Sequence, residues 1–192
     1  AVVDADELMD DVISKATEMT KERGHLDDMV ATEKTALYQQ IGLSGLKYYL
    51  IKVDPKKRMM FDPSESIELN GNTGPFIQYT HARICSLLKK AGDFKGPIST
   101  GQVLIPEEKE LIKTLLRYPY VLDDAARNYS PAILANYCYE LVKSYNQFYQ
   151  NVKILPENET EIKTNRLLIS ESTAKVIKNS LNLLGIYAPN RM

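Results

Sequence analysis

Apolar residues recur along this chain at steps of three and four, the spacing of one face of an α-helix. Leu8, Val12, Ala16 and Met19 form the first stripe, behind Asp4 as N-cap with Glu7 completing a capping box, and the pattern stops near Arg23-Gly24. Leu37, Ile41, Leu46, Tyr49 and Leu50 predict a second helix over 32–53, and Gly42 and Gly45 on it point to close packing against a neighbour or to a local irregularity. Asp54-Pro55 breaks it. Residues 56–62 alone read as an extended segment, and Ser64 as the cap of a short helix after it. A turn at Asn70-Gly71-Asn72 then leads to Thr73, an N-cap, with Pro75 in the first turn where a missing N–H costs nothing.

That helix runs to Ala91-Gly92. Residues 92–105 hold too many glycines, prolines and hydroxyl residues for a periodic element and read as a linker. Pro106 opens the next helix, Pro119 ends it, and a short helix follows over 121–128. Ser130-Pro131 starts a long one, on which Leu134, Tyr137, Cys138, Leu141, Tyr145, Phe148 and Val152 share the core face. The last helix spans Lys163 to Leu184, with Gly185 at C′ and Pro189 preventing continuation. The fold class is therefore mainly α: a helical bundle of about five helices, preceded by a mostly helical connecting segment.

On the helix that Thr73 caps, two faces differ. Ile77, His81, Ile84 and Leu88 fall within about 60° of one another and form the core stripe. Phe76, Tyr79 and Arg83 form an adjacent stripe. Two rings and a guanidinium on one face can stack flat groups and hold a phosphate, but a wide apolar face of a bundle gives the same pattern. Both readings of Phe76 and Tyr79 stay open on the residues alone, as do a salt bridge or a ligand contact for Arg83. His81 reads as a structural hydrogen-bonding residue.

Composition narrows the classes. Apolar residues make up 44% of the 192, normal for a globular core. No run approaches the ~18 apolar residues of a membrane helix, and the start lacks the pattern of a secretory signal. The first residue is Ala1, not Met, which fits a piece of a longer polypeptide. Cys85 and Cys138 lie far apart on helical patterns and read as small buried hydrophobes in a reducing, cytoplasmic setting. His25 and His81 are not clustered with cysteines, so no metal site is expected. The net charge is −1, but residues 1–73 carry 9 basic and 14 acidic residues and residues 74–192 carry 15 and 11. The second part is mildly basic and can face a polyanion.

Several runs resemble arginyl-tRNA synthetases. They include Val3-Asp4-Ala5-Asp6-Glu7-Leu8, Leu46-Lys47-Tyr48-Tyr49, and Gly71-Asn72-Thr73-Gly74-Pro75-Phe76-Ile77-Gln78-Tyr79 with His81-Ala82-Arg83. Further on come Leu134-Ala135-Asn136-Tyr137, Phe148-Tyr149, Asn165-Arg166-Leu167, Leu183-Leu184-Gly185 and the ending Pro189-Asn190-Arg191-Met192. The resemblance implies that residues 1–72 close the catalytic region and residues 73–192 form an α-helical anticodon-binding domain. The parent enzyme of such a family is an arginine–tRNA ligase using ATP with Mg. Neither its His-x-Gly-His signature nor its Lys-Met-Ser-Lys-Ser-like loop occurs here, so no cofactor, no catalytic residue and no adenylation are expected of this piece.

The partners implied are tRNA(Arg) and the catalytic domain of the same chain, with no membrane and no DNA. By the same resemblance, Phe76 and Tyr79 grip the anticodon loop, with Gln78, Arg83, Lys153, Arg166 and Met192 as further contacts. Lys153 stands where the family often has an aromatic, which makes a phosphate contact the more natural role. Arg166, at a helix start, is left with a phosphate or a carboxylate partner. Two alternatives are a helical protein-interaction module and an anticodon domain of another class I synthetase.

Overall fold

The structure is a computed structural model that describes residues 4–23, 29–94, 96, 101 and 103–192. Among these residues there are eight helices: α1 Ala5–Arg23, α2 Ala31–Ile51, α3 Pro63–Ser66, α4 Gly74–Ala91, α5 Pro106–Leu116, α6 Tyr118–Arg127, α7 Pro131–Asn151 and α8 Thr160–Leu183. There is no strand among the described residues. The expected extended segment at 56–62 is a turn and irregular chain leading into α3. His25 and most of the 95–102 stretch lie outside the described residues.

Start signals act close to where the sequence puts them. Asp4 Oδ1 accepts from the Asp6 N–H at 2.8 Å at the head of α1. Two punctuation marks differ. Asp62, not Ser64, caps α3, its carboxylate accepting from the Ser64 and Glu65 N–H groups. Pro119 does not end α5; it lies in the first turn of α6, which Arg117 joins to α5. A proline is equally suited to both places, because neither needs its N–H.

The apolar stripes close two cores. Val12 and Ala16 of α1, Leu37, Ile41 and Leu46 of α2, and Ile67 form the first. Gly42 allows it: a Cβ there would sit 2.7 Å from Ile13 Cα, so α1 and α2 meet backbone to backbone. The second core is larger and lies among α4, α5, α7 and α8, with Ile77, Ile84, Leu111, Leu141, Tyr145, Phe148, Leu167, Ile177 and Leu181 all fully buried. Tyr137, Tyr145, Phe148 and Cys138 belong to this core as their spacing predicts; Cys85 is half-buried. Tyr48 of α2 belongs to the second core, so the connecting segment inserts a side chain into the bundle.

After α8 the chain turns at Gly185, whose φ of 68° is the left-handed C′ conformation. It then returns along α4.

Candidate nucleic-acid interface

The turn before α4 is fixed from several sides. The Tyr48 hydroxyl, fully buried, lies 2.6 Å from Asn72 Oδ1 and 2.8 Å from the Ala135 carbonyl. Asn72 Nδ2 donates to Asn136 Oδ1 at 3.1 Å, and Lys52 Nζ donates to the Asn72 carbonyl at 3.0 Å. Thr73 Oγ1 then accepts from the Phe76 N–H, capping α4. The Asn-Thr-Gly-Pro run thus sets where α4 begins and how it lies against α7.

One face of α4 is committed to the protein. Gln78 is completely buried; its Nε2 donates to Ser44 Oγ at 3.0 Å and to the Tyr187 carbonyl at 2.7 Å. His81 Nδ1 lies 2.8 Å from the Pro189 carbonyl and so carries the ring proton. Burial pushes the His81 pKa down; the carbonyl bond opposes this and the charge of Lys178 adds to it. Below the ordinary imidazole pKa the unfolded chain binds a proton that the folded chain refuses, so stability falls as pH drops. Unfolding titrations should show a loss of stability that sets in as pH falls through the ordinary imidazole value of about 6.5 and that His81→Asn flattens.

The other face of α4 meets α7 with rings and cations. The Arg83 guanidinium lies 5.6 Å from the Tyr79 ring centre and 4.9 Å from that of Tyr149. Its Nη2 donates to Asn146 Oδ1, which holds it in place. Tyr79 is 42% exposed. Phe76 is half-buried against Tyr139, ring centres 6.0 Å apart, and Lys143 Nζ stands 4.7 Å over the Tyr139 ring. Such contacts contribute about 0.5–1 kcal/mol each at exposed sites. No carboxylate occurs on α4, and the one on α7, Glu140, is paired with Arg117 at 3.4 Å.

Of the residues singled out in the sequence, Phe76, Tyr79 and Arg83 come together on this face. Lys153 is exposed just beyond the end of α7. Gln78, Arg166 and Met192 are placed elsewhere. Arg166 is only 8% exposed; its Nε donates to Glu108 Oε1 at 2.8 Å, and its Nη1 to Glu157 Oε2 at 2.6 Å and the Lys153 carbonyl at 2.7 Å. Of the two partners the sequence left open for it, the structure supplies the carboxylate. Met192 packs, half-buried, on the α1–α3 core. Tyr139, Lys143 and Tyr149 were not singled out as contacts. Lys143 and Tyr149 lie four and ten residues after Tyr139, beside the core stripe of α7, a signal that becomes readable only once α4 is known to lie alongside.

The sequence of residues 77–192, more than half of the chain, matches the profile of the DALR anticodon binding domain. The chain belongs to the DALR anticodon-binding domain family. This DALR chain is 51% identical over 191 residues to an arginine–tRNA ligase of Flavobacterium psychrophilum, covering 100% of itself and 32% of that protein. An arginine–tRNA ligase of Parabacteroides distasonis is 47% identical over 196 residues, with 100% and 33% covered. In structure the DALR chain is similar to Thermus thermophilus arginyl-tRNA synthetase, with a TM-score of 0.90 and 30% identity over 100% of this chain and 32% of that one. It spans about a third of the length of the curated relatives it matches. No described helix is long and apolar enough to cross a membrane.

Proposed function

We propose that this chain is the tRNA-binding C-terminal part of a cytoplasmic arginine–tRNA ligase, and that its α4–α7 face holds the anticodon loop of tRNA(Arg). Residues 1–72 then end the catalytic region and residues 73–192 form the anticodon domain. The observation that carries this reading is the Tyr79–Arg83–Tyr149 stack: one exposed and one half-buried ring around a fixed guanidinium on a helix without carboxylates. Unpaired bases lie on such rings, and a guanidinium beside them meets the phosphates between them. Phe76 and Lys153 extend the same contact, whereas Gln78 and Arg166 have their donors engaged inside the protein. ATP with Mg, and the transfer of arginine, belong to the catalytic domain of the parent; this piece alone performs no adenylation.

The test is a titration of the 192-residue chain with tRNA(Arg) at rising salt. Affinity should fall with a logarithmic slope near 0.7–0.9 per phosphate contacted. Tyr79→Ala should cost about 1–3 kcal/mol of binding with unfolding unchanged. Absence of binding even at low salt, or a Tyr79→Ala chain that binds as before, removes the reading. Equal affinity for tRNAs differing only in the central anticodon base removes the arginine assignment.

A further inference from the structure

The turn between α3 and α4 holds the one Asn-Gly pair of the sequence, Asn70-Gly71. Both residues are exposed. Gly71 has a φ of 78°, in the left-handed region that strains a side chain, and a Cβ added there would meet no atom within 4 Å. The turn thus requires a glycine at this place, and the glycine leaves its own nitrogen unshielded. Among the described residues the Gly71 N–H and the Asn70 side-chain amide make no hydrogen bond. The groups on either side are fixed, by contrast. The Gly71 carbonyl accepts from the Thr73 N–H at 3.1 Å, and the Glu68 carbonyl accepts from the Thr73 hydroxyl. Thr73 caps α4, and the Asn72 side chain is held by Tyr48 and Asn136.

We propose that Asn70 is a site of spontaneous deamidation, and that its isoaspartyl product loosens the start of α4. The Gly71 nitrogen bonds to Asn70 Cγ. The bond from Cγ to the side-chain nitrogen breaks, and that nitrogen leaves as ammonia, carrying the proton that Gly71 gives up. The cyclic imide left behind takes up one water. Water adding at the side-chain carbonyl leaves an ordinary aspartyl residue; water adding at the main-chain carbonyl leaves isoaspartate, in which the chain runs on through Cβ and Cγ. No oxidant or reductant takes part. Isoaspartate lengthens the main chain by one carbon inside segment 68–73, whose ends are joined by the Thr73 hydroxyl and the Glu68 carbonyl. A longer chain between those ends either misplaces Thr73 as the cap of α4 or gives up its bond to Glu68. Other asparagines lack this combination. Asn72 is followed by the β-branched Thr73, and its side chain is engaged. Asn128 is followed by Tyr129 and donates to Asp124 Oδ1 at 2.7 Å.

The experiment incubates the whole 192-residue chain at mildly alkaline pH, which favours the deprotonated Gly71 nitrogen, and follows it by peptide mass spectrometry. The peptide holding Asn70 should gain the mass difference between an amide and a carboxylic acid before any other peptide changes. An isoaspartyl methyltransferase with labelled S-adenosylmethionine should then mark it. The aged chain should melt about 2–4 °C below the fresh one, the shift for losing one helix cap in a chain of this length. Asn70→Gln, whose longer side chain closes the ring poorly, should resist ageing and keep its melting point. Fresh Asn70→Asp adds the charge without the extra carbon and should melt as the fresh parent does. An unmodified Asn70 peptide, or an earlier change at another asparagine, overturns the site. The effect on α4 is overturned if the modified chain melts unchanged, if aged Asn70→Gln melts as low as the aged parent, or if fresh Asn70→Asp already does.

Discussion

Replacing Glu108 with alanine is expected to lower the unfolding free energy by about 3–5 kcal/mol. Glu108 is 1% exposed and uses both carboxylate oxygens. One accepts from Arg166 Nε at 2.8 Å; the other accepts from the Ile105 N–H at 3.1 Å and so closes the head of α5. Glu157 joins from the loop between α7 and α8, its carboxyl held below the ordinary range first by the N–H groups of Glu159 and Asn158, then by Arg166. Removing Glu108 leaves a buried guanidinium with less compensation than its desolvation demands, which is why the cost exceeds that of a surface pair. The loss should show in urea titrations. The double variant Glu108→Met with Arg166→Met should lose clearly less than the sum of the two single changes, since neither charge is then left alone. Additive losses would mean the pair does not act as a unit.

A loss of similar size is expected for Tyr48→Ala, about 3–5 kcal/mol, the range for removing a buried aromatic side chain. Two effects combine there. The cavity opens in the second core, where Tyr48 is fully buried, and Asn72 and the Ala135 carbonyl lose the hydroxyl between them. Burial holds the Tyr48 hydroxyl far above the ordinary phenol range, so it stays protonated and able to donate. Tyr48→Phe keeps the ring and should cost only about 1–3 kcal/mol, the penalty of an unsatisfied buried partner. Comparing the two by chemical denaturation separates packing from hydrogen bonding. If Tyr48→Phe costs as much as Tyr48→Ala, the hydroxyl network and not the ring ties α2 to the bundle.

Tyr48 and the Glu108–Arg166 pair both bear on how the interface is held. Tyr48 anchors the turn from which α4 starts, and Arg166, through the Lys153 carbonyl, anchors the loop that follows α7. The rings of the groove are therefore carried on helices whose ends are pinned by buried polar contacts. The protein-interaction alternative requires Phe76 and Tyr79 to be buried; Tyr79 is exposed and Phe76 is half-buried against Tyr139.

Most helices were legible in the chain because the signals are local. An apolar stripe, a cap residue and a glycine at C′ act within a few residues of where they stand, and α4, α7 and the end of α8 fall within a few residues of those marks. The exceptions have local causes too. Asp62 outcompetes Ser64 as a cap because Pro63 provides the first helical residue after it, and Pro119 can open a helix as readily as end one. The start of α8 at Thr160 instead of Lys163 puts Arg166 in the second turn, where it faces α5.

What the sequence determined by itself, then, is the set of helices, their inward faces, and the placing of Phe76, Tyr79 and Arg83 on one side of α4. Those follow from the 3.6-residue period, which holds wherever the segment ends up. Tertiary structure alone decided which polar side chains remain available. Gln78 and Tyr79 are neighbours in sequence, yet one donates to Ser44 and Tyr187 while the other keeps its ring in solvent. Arg166 meets a carboxylate 58 residues away, and Tyr139, Lys143 and Tyr149 become part of a groove only because α7 lies along α4. A buried polar group must find its partner wherever the chain brings one, and that meeting is a property of the packed helices, not of any one of them.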